Sequence, residues 1–108
     1  MFTRHIIMKF KPNSAAEFTR VIENEILPLL RKQKGFRDEI TFVAPERLEA
    51  VGNSFWDTKE DAQAYNSTGY PELLKALSKV VEGTPTVELF EVSSSTFHKL
   101  ASAAKVGS

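Results

Sequence analysis

Apolar and polar positions alternate from Phe2 to Phe10, with Phe2, Ile6, Met8 and Phe10 on one face and Thr3, His5, Ile7 and Lys9 on the other. This two-residue period predicts a strand with one oilier side, on which Arg4 is the exception. Lys11-Pro12-Asn13 stops it. Ser14 and Glu17 then have the spacing at which a hydroxyl and a carboxylate reciprocally satisfy free N–H groups at a helix start. Phe18, Val21, Ile22, Ile26, Leu29 and Leu30 recur every three or four residues, which predicts a helix with one apolar stripe. Pro28 lies inside that stripe, where it removes a bond to the carbonyl of Asn24 and crowds it. A kink or break is expected there, with the last turn running on to Lys34 before Gly35.

Two extended segments follow, Phe36 to Ala44 and Glu49 to Trp56, and Ala44-Pro45-Glu46-Arg47 between them reads as the turn of a hairpin. In the second segment Ala50, Gly52 and Ser54 share the face of Trp56, while Val51, Asn53 and Phe55 take the other. Such small neighbours leave room beside the indole. Thr58 and Asp61 have the spacing of a weaker capping box, opening a short helix through Ala62, Tyr65 and Asn66 that Gly69 ends. Pro71 suits the first turn of another helix, whose stripe of Leu73, Leu74, Leu77, Val80 and Val81 closes at Gly83. Thr84 to Ser95 reads as the last strand, and Glu88 and Glu91 suggest partial exposure or an edge.

The order is therefore βαββαβ with the second helix split, the order of an α+β, ferredoxin-like split sheet with helices on one face. The first strand carries apolar residues on both faces, Ile7 among them, so the uncovered face is expected to meet a second copy, two sheets pairing into a dimeric α/β barrel. Residues 1–96 are expected to form this one domain, and 97–108 a C-terminal extension with a frayed end.

Composition narrows the partners. The 108 residues carry 14 basic and 14 acidic side chains, interspersed, so no basic stripe is available for nucleic acid or an anionic membrane surface. With no cysteine, disulfides, thiolate metal sites and thiol nucleophiles are all excluded, which suits a reducing compartment. Arg4, Lys9 and Lys11 interrupt the N-terminal apolar residues, and no long apolar run follows, so a cytoplasmic protein is expected. No glycine-rich nucleotide loop and no histidine or acid cluster at ligand spacing occurs, so no metal and no nucleotide site is expected.

Leu27-Pro-Leu-Leu-Arg-Lys-Gln-Lys-Gly-Phe-Arg-Asp38 followed by Ser54-Phe-Trp-Asp-Thr-Lys-Glu-Asp-Ala-Gln-Ala-Tyr65 resembles the antibiotic biosynthesis monooxygenase family, over roughly residues 1–96. The resemblance implies a dimeric α/β barrel with a ligand pocket between sheet and helices. Enzymes of that family are cofactor-free oxygenases of phenols, anthrones or hydroquinones, or degrade haem; others have no known activity. Trp56 matches the family's strand-end tryptophan. Where many members carry a histidine nine residues on, this chain has Tyr65, a hydrogen-bond donor but a poor base at neutral pH. The helical histidine of the haem-degrading branch is missing, and the first-strand asparagine slot falls near His5 or Ile6, so haem degradation is disfavoured.

Cofactor-free oxygenation asks the protein for a flat pocket, a group to take or share a phenolic proton, and donors for the resulting anion. The residues proposed as catalytic are Trp56, Tyr65 and His5, with Arg4, Asn53 and Ser54 as substrate contacts. Each has a structural alternative. Trp56 and Tyr65 can simply fill the core, His5 can be an interface residue, and Arg4 can pair with a nearby acid. His98 reads as a surface residue, and Asp38-Glu39 and Glu60-Asp61 as surface charges. The function expected is oxygenation of a small aromatic molecule without cofactor. The alternative is a non-catalytic dimeric barrel that binds a small ligand or serves a stress or accessory role.

Overall fold

The computed structural model describes residues 1–98, so all but the first two residues of the extension expected over 97–108 lie outside the described residues. The elements run β1 (Phe2–Phe10), α1 (Ala15–Val21), a π-helical turn (Ile22–Ile26), α2 (Leu27–Arg31), β2 (Phe36–Ala44), a 3-10 turn (Pro45–Arg47), β3 (Glu49–Trp56), α3 (Lys59–Thr68), α4 (Tyr70–Leu77) and β4 (Val81–Glu91). The four strands form one antiparallel sheet in the order β2-β3-β1-β4. This is the α+β, ferredoxin-like split sheet, and the helices cover one of its faces. No helix among the described residues is long and apolar enough to cross a membrane.

The core lies between that face and the helices. Trp56, Tyr65, Phe10, Phe18, Ile26, Leu77, Val21 and Val80 are fully buried there, each removed from water for a gain of about 1.5–3 kcal/mol. Phe10 and Phe18 stack with ring centroids 5.7 Å apart, tying the end of β1 to α1. On β3 burial alternates strictly, with Ala50, Gly52, Ser54 and Trp56 inward.

Several local expectations are corrected. Ser14 and Glu17 form no capping box: Ser14 Oγ points back at the Pro12 carbonyl, 3.5 Å away, and Glu17 pairs with Arg20 one turn on. The helix ends at Arg31 rather than Lys34, and Gly35 follows in the left-handed region at φ 81°. The interruption expected near Pro28 takes the form of a π turn over Ile22–Ile26, after which Pro28 sits in the first turn of α2, where its missing N–H costs little.

Val80 and Val81 do not continue α4, and β4 spans Val81–Glu91 rather than Thr84–Ser95. Gly83, at φ 68°, lies within this strand, where the pairing with β1 shifts register between Ile7 and Lys9. A bulge with glycine in the left-handed region re-aims the strand so that Val81 returns inward opposite Phe10. Pro85 beside it is tolerated because β4 is an edge strand.

Candidate functional site

Gly52 supplies the floor of a cleft between sheet and helices. A Cβ there would stand 3.1 Å from Ile6 Cγ2 and 3.4 Å from Glu39 Oε2. The cleft has a volume of about 30 Å³, room for one or two ordered waters. Its polar wall comes from three strands and a helix: Arg4 on β1, Glu39 on β2, Ser54 on β3 and Tyr65 on α3. The opposite wall is apolar, including Ile26 and Leu73.

Arg4 is 6% exposed. Its Nη2 donates to Asn66 Oδ1 at 2.7 Å, and its guanidinium carbon lies 4.8 Å from the Tyr65 ring centre and 4.5 Å from that of Tyr70. It has no carboxylate partner among the described residues. The expected ion pair is thus replaced by cation–π contacts and one neutral acceptor, which leave other guanidinium donors for a ligand. Burial pulls its pKa down, opposed by the two tyrosines.

The Tyr65 hydroxyl is buried and has no hydrogen-bond partner. Burial raises its pKa strongly, with Arg4 opposing, so it remains a phenol and acts as a donor or acceptor rather than a base. An unpaired buried hydroxyl costs about 1–3 kcal/mol, which a ligand atom or a water would recover.

Ser54 Oγ accepts from Trp56 Nε1 at 2.9 Å, which leaves its own proton to be donated. Trp56 is completely buried, packs edge-on against Phe36 and lies 5.0 Å from the Tyr65 ring, and does not line the cleft. The direct catalytic role expected for Trp56 does not fit this position. Its place is behind Ser54 and Tyr65, whose orientation it fixes.

His5 and Asn53 are paired neighbours on β1 and β3, His5 Nδ1 to Asn53 Oδ1 2.9 Å, on the face that no helix covers. The sheet itself separates them from the cleft, so the structure does not bring them together with Arg4, Ser54 and Tyr65. His5 also meets Phe90 edge-on at 5.9 Å. His98, expected on the surface, is tucked in: its ring rests 5.3 Å from that of Phe55 and pairs with Asp38.

Glu39 is the cleft residue that pattern reading missed. Counting by twos from Phe36 puts Glu39 on the opposite face from it, among surface charges. Between Phe36 and Asp38, however, the pairing with β3 shifts register, so Phe36 faces Trp56 and Glu39 faces Ser54. One extra residue in β2 turns a surface acid into the cleft. Burial raises its pKa above the ordinary glutamate range, and a hydrogen bond from Thr41 Oγ1, 2.6 Å from Glu39 Oε2, opposes this. Tyr70 and Asn66, which frame Arg4, carry no signal in the sequence beyond their helix positions. Among the described residues no group of three or more histidines and acids could hold a metal ion.

No family model matches the sequence, and no curated protein is similar to it. Solved structures are similar in fold. SnoaB, a cofactor-independent oxygenase from Streptomyces nogalater, superposes with a TM-score of 0.71 at 16% identity, over 88% of this chain and 95% of that one. A monooxygenase from the gene ActVA-Orf6 of Streptomyces coelicolor, in complex with Nanaomycin D, gives 0.72 at 14% identity, over 91% and 92%. A putative antibiotic biosynthesis monooxygenase from Bordetella bronchiseptica gives 0.71 at 16% identity, over 84% and 96%. The fold is that of the antibiotic biosynthesis monooxygenase proteins.

Proposed function

We propose that this chain is a cofactor-independent oxygenase-like protein that takes a small phenol or hydroquinone into the cleft between sheet and helices, and that it works as a homodimer. The observation that carries this reading is the buried Arg4 guanidinium, without a carboxylate partner among the described residues, in one cleft with the unpartnered Tyr65 hydroxyl. A buried cation with a neutral donor beside it is suited to a phenolate oxygen. Ser54, its oxygen engaged by Trp56, offers a further proton. The same fold in a cofactor-independent oxygenase and in a monooxygenase in complex with Nanaomycin D supports the assignment.

The chemistry asked of the protein is modest. A phenolate held at Arg4 gives one electron to O2, the two radicals join at a ring carbon bearing hydrogen, and loss of water leaves a quinone. The balance is one phenol plus one O2 to one quinone plus one water, with no outside reductant. The side chains position the ring and stabilise the anion; the substrate supplies the electrons.

Oxygen uptake with a panel of single-ring hydroquinones and larger anthrones tests the reading. Wild type is expected to turn over at least one of them, and Arg4→Met and Tyr65→Phe to lose about 10²-fold or more of kcat, as removal of an oxyanion donor does. Absence of turnover, or turnover indifferent to both changes, removes the catalytic assignment.

At about 30 Å³ the cleft admits a ring only if the helices part from the sheet, and the same opening serves a second reading, a non-catalytic barrel that binds a small ligand. A thermal-shift screen separates the two. Phenols that raise the melting temperature without being consumed assign the binding role.

A further inference from the structure

We infer that Glu39 is the proton acceptor of this cleft: its carboxylate takes the proton of a bound phenol and passes it to solvent along the β2 edge of the sheet. The inference rests on the phenol-binding reading above and adds to it the group that ionises the ligand. His5, the one base among the sequence candidates, lies across the sheet, and Tyr65 is a poor base, so the cleft needs another.

Glu39 is placed for this by four features. The bulge after Phe36 brings Glu39 opposite Ser54, onto the same cleft wall as Arg4 and Tyr65. Gly52 has no side chain where the carboxylate leans over the floor; a Cβ there would meet Glu39 Oε2 at 3.4 Å. Thr41 Oγ1 donates to that same oxygen at 2.6 Å, fixing the carboxylate's orientation and leaving Oε1 free to accept. Glu39 also lines an open surface groove with Leu27, Arg31, Phe36, Arg37 and Asp38, of about 350 Å³, on the outer side of edge strand β2. One carboxyl therefore faces both the cleft and water, as a group that must be reset after each turnover requires.

The charged and titratable groups around it divide the task. Arg4 and Tyr65 face it across the cleft, Arg31, Arg37 and Asp38 from the groove, and α4 contributes only apolar side chains to the cleft. Burial holds the carboxyl above the ordinary glutamate range, nearer the pH at which it can both accept and release a proton. In the transfer the phenol O–H bond breaks and a new O–H bond forms on Glu39. The electron pair stays on the phenolate oxygen beside Arg4, and no net charge enters the cleft.

Proton counting on binding tests this without turnover. 4-Nitrophenol, a single-ring phenol whose anion is coloured, is titrated with the intact protein well below the free probe's own pKa but above the titration of Glu39. Proton exchange is measured by calorimetry in buffers of different ionisation enthalpy. Wild type is expected to bind the probe as the coloured anion with no proton released, because Glu39 has taken it. Glu39→Gln is expected to bind it uncoloured, or coloured with one proton released to buffer. Thr41→Val, which keeps the carboxyl but removes its donor, makes Glu39 the stronger proton acceptor and should move the pH at which the anion colour appears downward. If the panel above contains a substrate, Glu39→Gln should also lose about 10²–10⁴-fold in turnover.

An uncoloured probe in wild type, or the same colour and proton count in wild type and Glu39→Gln, overturns the role of Glu39 and leaves the phenol site standing. Failure of wild type to bind the probe or any phenol of the panel overturns the site reading and the proposal together.

Discussion

Arg4 is held by two tyrosine faces and one amide oxygen, all neutral groups, with no carboxylate in direct contact among the described residues. Such a site balances better with an anion present than without one, which is why it reads as a binding site rather than a strut. Glu39 is the complementary case. The folded protein holds its proton more tightly than the unfolded chain does, so its contribution to stability is full below the ordinary glutamate value of about 4.3 and is lost as pH rises through the raised folded value. Glu39→Gln removes that loss. Urea denaturation should therefore find the variant more stable than wild type near neutrality, the gain shrinking to nothing below about pH 4. A gain independent of pH would mean that the carboxyl is not desolvated in the fold.

The bulges in β2 and β4 are the elements that convert this pattern into a site. The first adds one residue to edge strand β2 and the second two residues to edge strand β4, and the first decides which face the acid of β2 occupies. Gly35, between α2 and β2, sets the entry to that bulge. It lies at φ 81°, its carbonyl accepts from Asp57 N at 2.9 Å, and a Cβ there would run into the Asp61 carboxyl. Gly35→Ala should cost about 1–2 kcal/mol from the left-handed backbone alone, read as a lowered urea midpoint. An unchanged midpoint would show that this connection relaxes freely. The hairpin bounds and the interruption between α3 and α4 were legible from alternation and from glycine and proline. The bulges were not, because an inserted residue leaves the local hydrophobic count unchanged.

The whole molecule leaves the second sheet face open. Ile40, Phe42 and Phe90 are exposed on it, Phe42 at 57% and Phe90 at 48%, beside Ile7, Val51 and Phe55. A contiguous apolar surface on a chain this small is covered most economically by its own copy, since one surface then covers two. Light scattering at micromolar concentration is expected to return about twice the 12.1 kDa chain mass, and Phe42→Lys to shift it to one chain mass. A wild-type mass of one chain would exclude the homodimer. His98, on Phe55 and Asp38, closes one corner of this face, so the segment after β4 adjoins the same surface.

The sequence by itself determined the element order, the helix-covered face of the sheet, the buried Trp56 and the cationic Arg4 on an apolar strand, because period and composition are local properties. Only the tertiary structure decided that Trp56 stands behind the cleft rather than in it, and that Glu39 faces Ser54. These depend on register between strands distant in sequence. A single-residue shift there exchanges the two faces of a strand without altering any local pattern.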